Sequence, residues 1–186
     1  AGLGQTQAEQ GQIRAAIASY RRAQASTPLP DYAGALYDLY MAAGEKAEAD
    51  KQMELIEVID RLGEAAKEKV NRNLAMVYSN HDWRLDRALE LARAELDVRH
   101  DIYTYDTLAW ALYKNGKYTE AKNAIERAMK LGTPEPMFYY HAGMIAFANG
   151  QKAEAARLLK QALSLNPGFD PAQAAVAKKT LKEIES

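Results

Sequence analysis

Apolar residues in this chain recur every three or four positions, which is the spacing of one face of an α-helix. Between residues 108 and 128 the pattern places Leu108, Leu112, Ala121, Ile125 and Ala128 on the inner sides of two predicted helices. Strict alternation of apolar and polar residues, which would indicate β-strands, is scarce. The pattern therefore predicts an all-α protein.

The helical segments repeat with a period near 34 residues. Gly116 and Gly150 are 34 positions apart, and Gly11 and Gly44 are 33 apart. Each of these glycines is expected to end one helix in the left-handed conformation and to open a tight turn. Five segments share further positions: an apolar and a small residue before the turn, and alanines with an apolar or aromatic residue after it. The two fullest copies are Leu3, Gly4, Gly11, Ala16, Tyr20, Ala23 and Pro28, and Ala142, Gly143, Gly150, Ala155, Leu159, Ala162 and Pro167.

The third segment departs from this pattern. Residues 80–83, Asn-His-Asp-Trp, stand where the other segments have the turn glycine, and the segment is longer. We expect the extra length in the helices around Gly63 and in this turn. Glu95 occupies a position that is small in the other segments, which predicts a looser or differently phased helix interface there.

The spacing of Leu-Gly, Gly, Ala, an apolar residue, Ala and Pro resembles the tetratricopeptide repeat. The resemblance covers residues 1–169 and implies a right-handed α-solenoid of about five helix pairs in a single array. A capping helix is expected to follow, because Asp170 and Pro171 form a helix start and the next residues are largely polar. The first repeat is expected to be truncated at its start, with the protein continuing upstream. The expected divisions are repeats at 1–29, 30–63, 64–101, 102–135 and 136–169, and the capping helix at 170–186.

Composition narrows the classes of function. The 186 residues carry 24 basic and 25 acidic side chains, for a formal net charge of −1, so no global charge favours nucleic acid. Cysteine is absent, which excludes disulfides and thiolate catalysis. No apolar run approaches the roughly 20 residues that a membrane-spanning helix needs.

The residues that usually carry catalysis or bind metals form no recognisable motif. The three histidines, His81, His100 and His141, are far apart and lack a cysteine or paired carboxylate at ligand spacing. No phosphate-binding glycine loop or nucleophile elbow occurs. We therefore predict no enzyme activity, no metal and no cofactor.

The predicted site is a groove for a protein or peptide partner. The family resemblance implies that the first helix of each pair lines the concave side of the solenoid. Aromatic and methionine side chains there offer a large, adaptable contact area, and a small basic cluster lies beside them. The predicted groove residues are Lys69, Arg72, Asn73, Met76, Tyr103, Asp106, Trp110, Tyr113, Tyr140, His141, Met144 and Phe147.

Several alternatives remain open from the sequence. An aromatic stripe at helical spacing also fits a core, and of the neighbours Tyr139 and Tyr140 at most one can face a groove. The Lys/Asn clamp with which some relatives hold a terminal carboxylate is not matched, because Gly34 and Asp38 stand where donors are needed. Besides peptide binding, the chain could self-associate through an exposed N-terminal repeat, or be the regulatory part of a larger protein with a catalytic domain elsewhere.

Overall fold

The computed structural model describes residues 1–67 and 71–186, and the chain divides into two compact units, Ala1–Lys69 and Val70–Ser186. The described residues contain helices and no strands, which confirms the all-α prediction. The first unit contains α1 (Gly2–Glu9), α2 (Ile13–Ser26), α3 (Pro30–Ala42) and α4 (Lys46–Ala65). The second unit contains α5 (Arg72–Asn80), α6 (Leu85–Val98), α7 (Ile102–Lys114), α8 (Tyr118–Ala128), a 3₁₀ turn (Met129–Leu131), α9 (Pro136–Ala148), α10 (Lys152–Leu165) and α11 (Pro171–Glu185).

Consecutive helices form hairpins with a common turn. In α7–α8, the amide of Gly116 donates to the carbonyl of Tyr113 and the amide of Lys117 donates to the carbonyl of Leu112, each at 2.9 Å. This pair of bonds is the Schellman motif, which places its glycine in the left-handed region. The four predicted turn glycines have φ between 72° and 76°, as the motif requires.

The third turn keeps the same motif without glycine. The amide of Trp83 donates to the carbonyl of Tyr78 at 2.9 Å, and Asp82 holds the glycine position with φ 55°. One additional residue, Arg84 with φ 37°, precedes α6. The helix α4 is also long, with 20 residues against 14 in α2. The extra length of this region thus lies both in a helix and in the turn, as expected.

Small residues let the two helices of a hairpin approach closely. A Cβ on Gly143 of α9 would lie 2.7 Å from Cγ and Cδ2 of Leu159 on α10. Gly4 of α1 faces the ring of Tyr20 on α2 in the same way, at 2.8 Å. Each glycine therefore provides the space that the large side chain of its partner helix occupies.

Each unit has its own hydrophobic core. In the first unit the core lies among α2, α3 and α4, and in the second a large cluster joins α7, α9, α10 and α11. The helix α11 packs on α9 and α10, and Ala174 and Ala177 enter this cluster. Within the described ranges, no helix has the length and apolar character needed to cross a membrane.

Glu95 lies buried in α6 with 3% of its surface exposed. Its carboxylate lies 2.8 Å from Nη1 of Arg99, one turn later, without an aligned hydrogen bond to that oxygen. The ion pair provides a charge partner for the carboxylate, which would otherwise be costly to bury. The acidic residue at this normally small position is thus paired with the residue that directly follows its own helix.

Candidate partner-binding face

Three neighbouring first helices of the second unit, α5, α7 and α9, carry the predicted groove residues that the structure describes. Side chains cap all three helices at their starts. The carboxylate of Asp101 accepts from the amide of Thr104 at 2.8 Å, and the amide oxygen of Asn71 accepts from Leu74 at 3.0 Å. These bonds satisfy amides at the starts of α7 and α5 and define where each helix begins. Lys69 lies outside the described residues.

The centre of the predicted groove is filled by its own side chains. Trp110 is only 2% exposed, and Tyr140 and Met144 are buried with it. The expectation that Trp110 and Tyr140 face an open groove is therefore wrong, and the alternative core interpretation describes them. The physical reason is that aromatic side chains from distant segments pack against this region. The ring centroid of Phe169, which lies just before α11, is 5.5 Å from that of Tyr140.

Trp110 is held on several sides. Its indole nitrogen donates to Oδ1 of Asn80 at 2.8 Å, so the buried N–H is satisfied. Its ring stacks on Tyr113 at 4.8 Å and on His141 at 4.2 Å. This arrangement fixes the indole and makes it a structural link between α5, α7 and α9.

His141 and Asp106 form a buried polar pair rather than a groove surface. Nδ1 of His141 donates to Oδ1 of Asp106 at 2.8 Å, and both residues are buried. Nε2 of His141 has no hydrogen-bond partner among the described residues. Both residues were predicted to contact a partner, but in this structure they contact each other.

The outer part of the predicted site remains accessible. Tyr103 is 48% exposed, and its ring packs edgewise against Phe138 at 5.5 Å. The guanidinium of Arg72 lies 5.6 Å from the same ring and 3.5 Å from the carboxylate of Asp101. We name this accessible surface the first-helix face. Its partly or largely exposed residues are Arg72, Asn73, Met76, Tyr103, Tyr113 and Phe147.

Local electrostatics keep Asp101 charged. Partial burial acts to raise its pKa, but the hydrogen bonds from Thr104 and the nearby Arg72 and Arg99 outweigh burial, so the pKa of Asp101 is lowered. In contrast, burial raises the pKa of Tyr113, and the neighbouring Tyr118 and Asp82 raise it further. The first-helix face is therefore bordered by the ionised carboxylate of Asp101 at the start of α7 and carries the neutral phenol of Tyr113 near the end of that helix.

Some contributing residues were missed by sequence reasoning. Phe138 supports Tyr103, Asn80 binds Trp110, and Phe169 covers Tyr140. Phe169 could have been noticed as the aromatic residue just before the Asp-Pro helix start. Asn80 could not, because its role depends on a contact with a residue 30 positions away.

A separate shallow cavity of about 250 Å³ lies among α8, α9 and α10. Its floor is apolar, formed by Ile125, Ala142, Ile145 and Leu158. At its rim, Glu154 and Arg157 of the same helix pair with each other at 2.6 Å. Lys122, Glu126 and Gln151 contribute further polar side chains to the lining.

Helical hairpins with a common turn, packed in chain order within each unit, define a helical repeat protein. Residues 107–171 match the family model described as Tetratricopeptide repeat. The mouse and human proteins named tetratricopeptide repeat protein 7B are each 32% identical to the chain over 82 residues, which is 44% of this chain. The chain spans 9% of the length of these curated relatives.

Solved structures agree with this class. A thermophilic tetratricopeptide repeat protein of Thermus thermophilus aligns with a TM-score of 0.60 and 18% identity, covering 97% of this chain and 96% of that one. A tetratricopeptide repeat protein of Parabacteroides merdae aligns with a TM-score of 0.60 and 20% identity, covering 100% of this chain and 82% of that one. At these identities the likeness shows the fold, and it confirms the predicted fold class.

These findings agree with the resemblance seen in the sequence: residues 107–171 match the tetratricopeptide repeat model, and the chain shares the fold of solved tetratricopeptide repeat proteins. Tetratricopeptide repeats typically form protein–protein interaction modules. Members of this family are typically non-catalytic.

Proposed function

We propose that this chain is an interaction scaffold rather than an enzyme, and that it holds a protein or peptide segment against the first-helix face. The observation that carries the proposal is the position of Tyr103. Its ring is about half exposed and is supported from behind by Phe138 and from the side by Arg72. An exposed aromatic ring on a rigid support loses little conformational entropy when it is covered, as binding hot spots require.

The rest of the face supports the same use. Met76 is partly exposed and packs against the buried cluster around Trp110, so it offers a flexible apolar contact. The buried cluster would act as the stiff base under these contacts. An extended or helical peptide could therefore bind without rearranging the hairpins.

The two tyrosines of α7 provide a direct test. Tyr103 lies on the proposed face, whereas Tyr105 has its hydroxyl 3.4 Å from Arg127 of α8. A photoreactive phenylalanine analogue at position 103 of the full-length protein should form a covalent adduct with the partner in cells. The same analogue at position 105 is the matched control and should give little of that adduct.

Affinity gives the second readout. With the crosslinked partner identified, Tyr103→Ala should weaken binding about tenfold, and Tyr105→Ala should change it less than about threefold. Equal crosslinking at both positions, or unchanged affinity for Tyr103→Ala, would place the interaction on another surface.

A second proposal is self-association through α1. Leu3 is 60% exposed on this helix, so an apolar side chain is available for a contact between copies. Light scattering should show the average mass rising with concentration, and Leu3→Ser should lower that average. A constant monomer mass over the accessible concentrations would contradict it.

A further inference from the structure

The turn between α5 and α6 places a carboxylate where the other hairpins have no side chain. Asp82 occupies the glycine position of the Schellman motif with φ 55°, and Arg84 follows with φ 37°. A left-handed conformation is uncommon for a residue other than glycine, although aspartate tolerates it better than most, and it is often found at functional sites.

Asp82 already binds one cation of this chain. Its Oδ1 lies 2.9 Å from Nζ of Lys114, and the same ammonium lies 5.1 Å from the ring centroid of Trp110. A carboxylate and an aromatic ring thus hold a positive charge between them. The Lys114 side chain is only 17% exposed, whereas that of Asp82 is 65% exposed. The side chain of Asp82 is therefore largely exposed to solvent, whereas that of Lys114 is mostly covered.

Aromatic rings continue from this pair toward the surface. The ring of Tyr113 stacks on Trp110, and Tyr118 follows at 5.7 Å with its ring exposed. The phenol of Tyr113 lies near both Asp82 and Tyr118, because both add to the burial that raises the pKa of Tyr113. Burial raises the pKa of the neighbouring Tyr140, and the negative charge of Asp170, at the start of α11, adds to this effect. We name the group of Asp82, Tyr113, Tyr118 and Lys114 the Asp82 corner.

We propose that the Asp82 corner binds an arginine or lysine side chain of the partner segment held on the first-helix face. The incoming cation would contact the outward oxygen of Asp82 and the ring faces of Tyr113 and Tyr118. This inference rests on the proposed function and names the chemistry of its partner. The choice of a cation follows from charge complementarity. The exposed carboxylate of Asp82 would repel an acidic side chain. The ammonium of Lys114 is not available to attract one, because it is already paired with Asp82 and Trp110.

Selection of peptides from a random display library on the full chain tests the proposal without a known partner. Wild-type protein should enrich peptides that combine apolar residues with an arginine or lysine at a fixed position. Asp82→Asn removes the charge and retains a residue that tolerates the left-handed conformation, so enrichment of the basic position should be lost. Asp86→Asn, which removes an exposed carboxylate nearby on α6, is the matched control and should retain it.

A double-mutant cycle makes the test quantitative. Replacing the basic residue of the best peptide with norleucine should weaken binding to wild-type protein about tenfold, and to Asp82→Asn by less than about twofold. Tyr118→Leu, whose side chain is exposed, should reduce the same difference by removing one ring face. Circular dichroism of each variant would establish that the fold is retained.

The outcomes separate the two proposals. The selected peptides could show no preference for a basic residue and still bind Tyr103→Ala more weakly than wild type. That result would overturn the cation site and leave the proposed binding at the first-helix face in place. The cation site would also be overturned if norleucine replacement reduced the affinity for wild-type protein and for Asp82→Asn by the same factor. Failure to select any peptide that is sensitive to Tyr103→Ala would overturn the proposed function and, with it, this inference.

Discussion

The imidazole of His141 donates to the carboxylate of Asp106 at 2.8 Å, joining α9 to α7 inside the second unit. Trp110 covers one face of the imidazole at 4.2 Å. Residues that the family resemblance assigned to a partner-binding groove thus form an internal connection between repeats. This contact changes which substitutions should affect stability and which should affect binding.

Breaking the polar pair should destabilise the second unit. Asp106→Ala would leave the buried Nδ1 of His141 without an acceptor and should lower the free energy of unfolding by about 2–3 kcal/mol. Asp106→Asn retains an acceptor oxygen and should be less destabilising. Urea unfolding followed by circular dichroism measures the effect, with the exposed Asp86→Asn as control. An equal, small effect of all three variants would show that the pair is not important for stability.

Trp110 and Tyr103 should differ strongly in their contribution to stability. Trp110→Ala would leave a large cavity and an unpaired Asn80, and should reduce the free energy of unfolding by about 3–5 kcal/mol. Tyr103→Ala removes a half-exposed ring and should change it by less than about 1 kcal/mol. Thermal and urea unfolding of the two variants would test this. A Trp110→Ala variant of nearly wild-type stability would contradict the buried position of the indole.

The close approach of α9 and α10 depends on Gly143. Gly143→Ala would place a methyl group 2.7 Å from the side chain of Leu159, which must move, and should destabilise the protein by about 1–3 kcal/mol. Gly2→Ala is the control, because a Cβ there meets nothing within 4 Å. Gly143→Ala combined with Leu159→Ala should lose less stability than the sum of the two single variants.

Asp101 should make part of the stability dependent on pH. Its pKa is lowered in the folded protein from an ordinary value of 3.8, so its contribution is present above about pH 5 and is lost as pH falls through the folded pKa. Asp101→Asn preserves the capping oxygen and removes the charge. The difference in urea midpoint between wild type and Asp101→Asn should therefore be present at pH 7 and shrink toward pH 2. A difference independent of pH would rule out this role of the charge.

Sequence reasoning located the hairpins well because their signals are local. A turn glycine restricts which backbone conformations follow, and the spacing around Gly116 and Gly150 sets which helix faces can pack. The deviation at residues 80–83 was also visible, although the sequence did not show that Asp82 would take the place of glycine. The site was harder to predict, because Tyr103 and Trp110 lie on similar sides of one helix but differ completely in exposure.

The sequence by itself determined the helical class, the period of the hairpins and the direction in which each side chain leaves its helix axis. Only the tertiary structure decided which of those directions leads to solvent. Asn80, His141 and Phe169 reach the central aromatic residues from other helices and from the segment before α11, and they exclude water from them. Helical periodicity carries no information about such distant neighbours, and this is why the accessible face lies at Tyr103 rather than at Trp110.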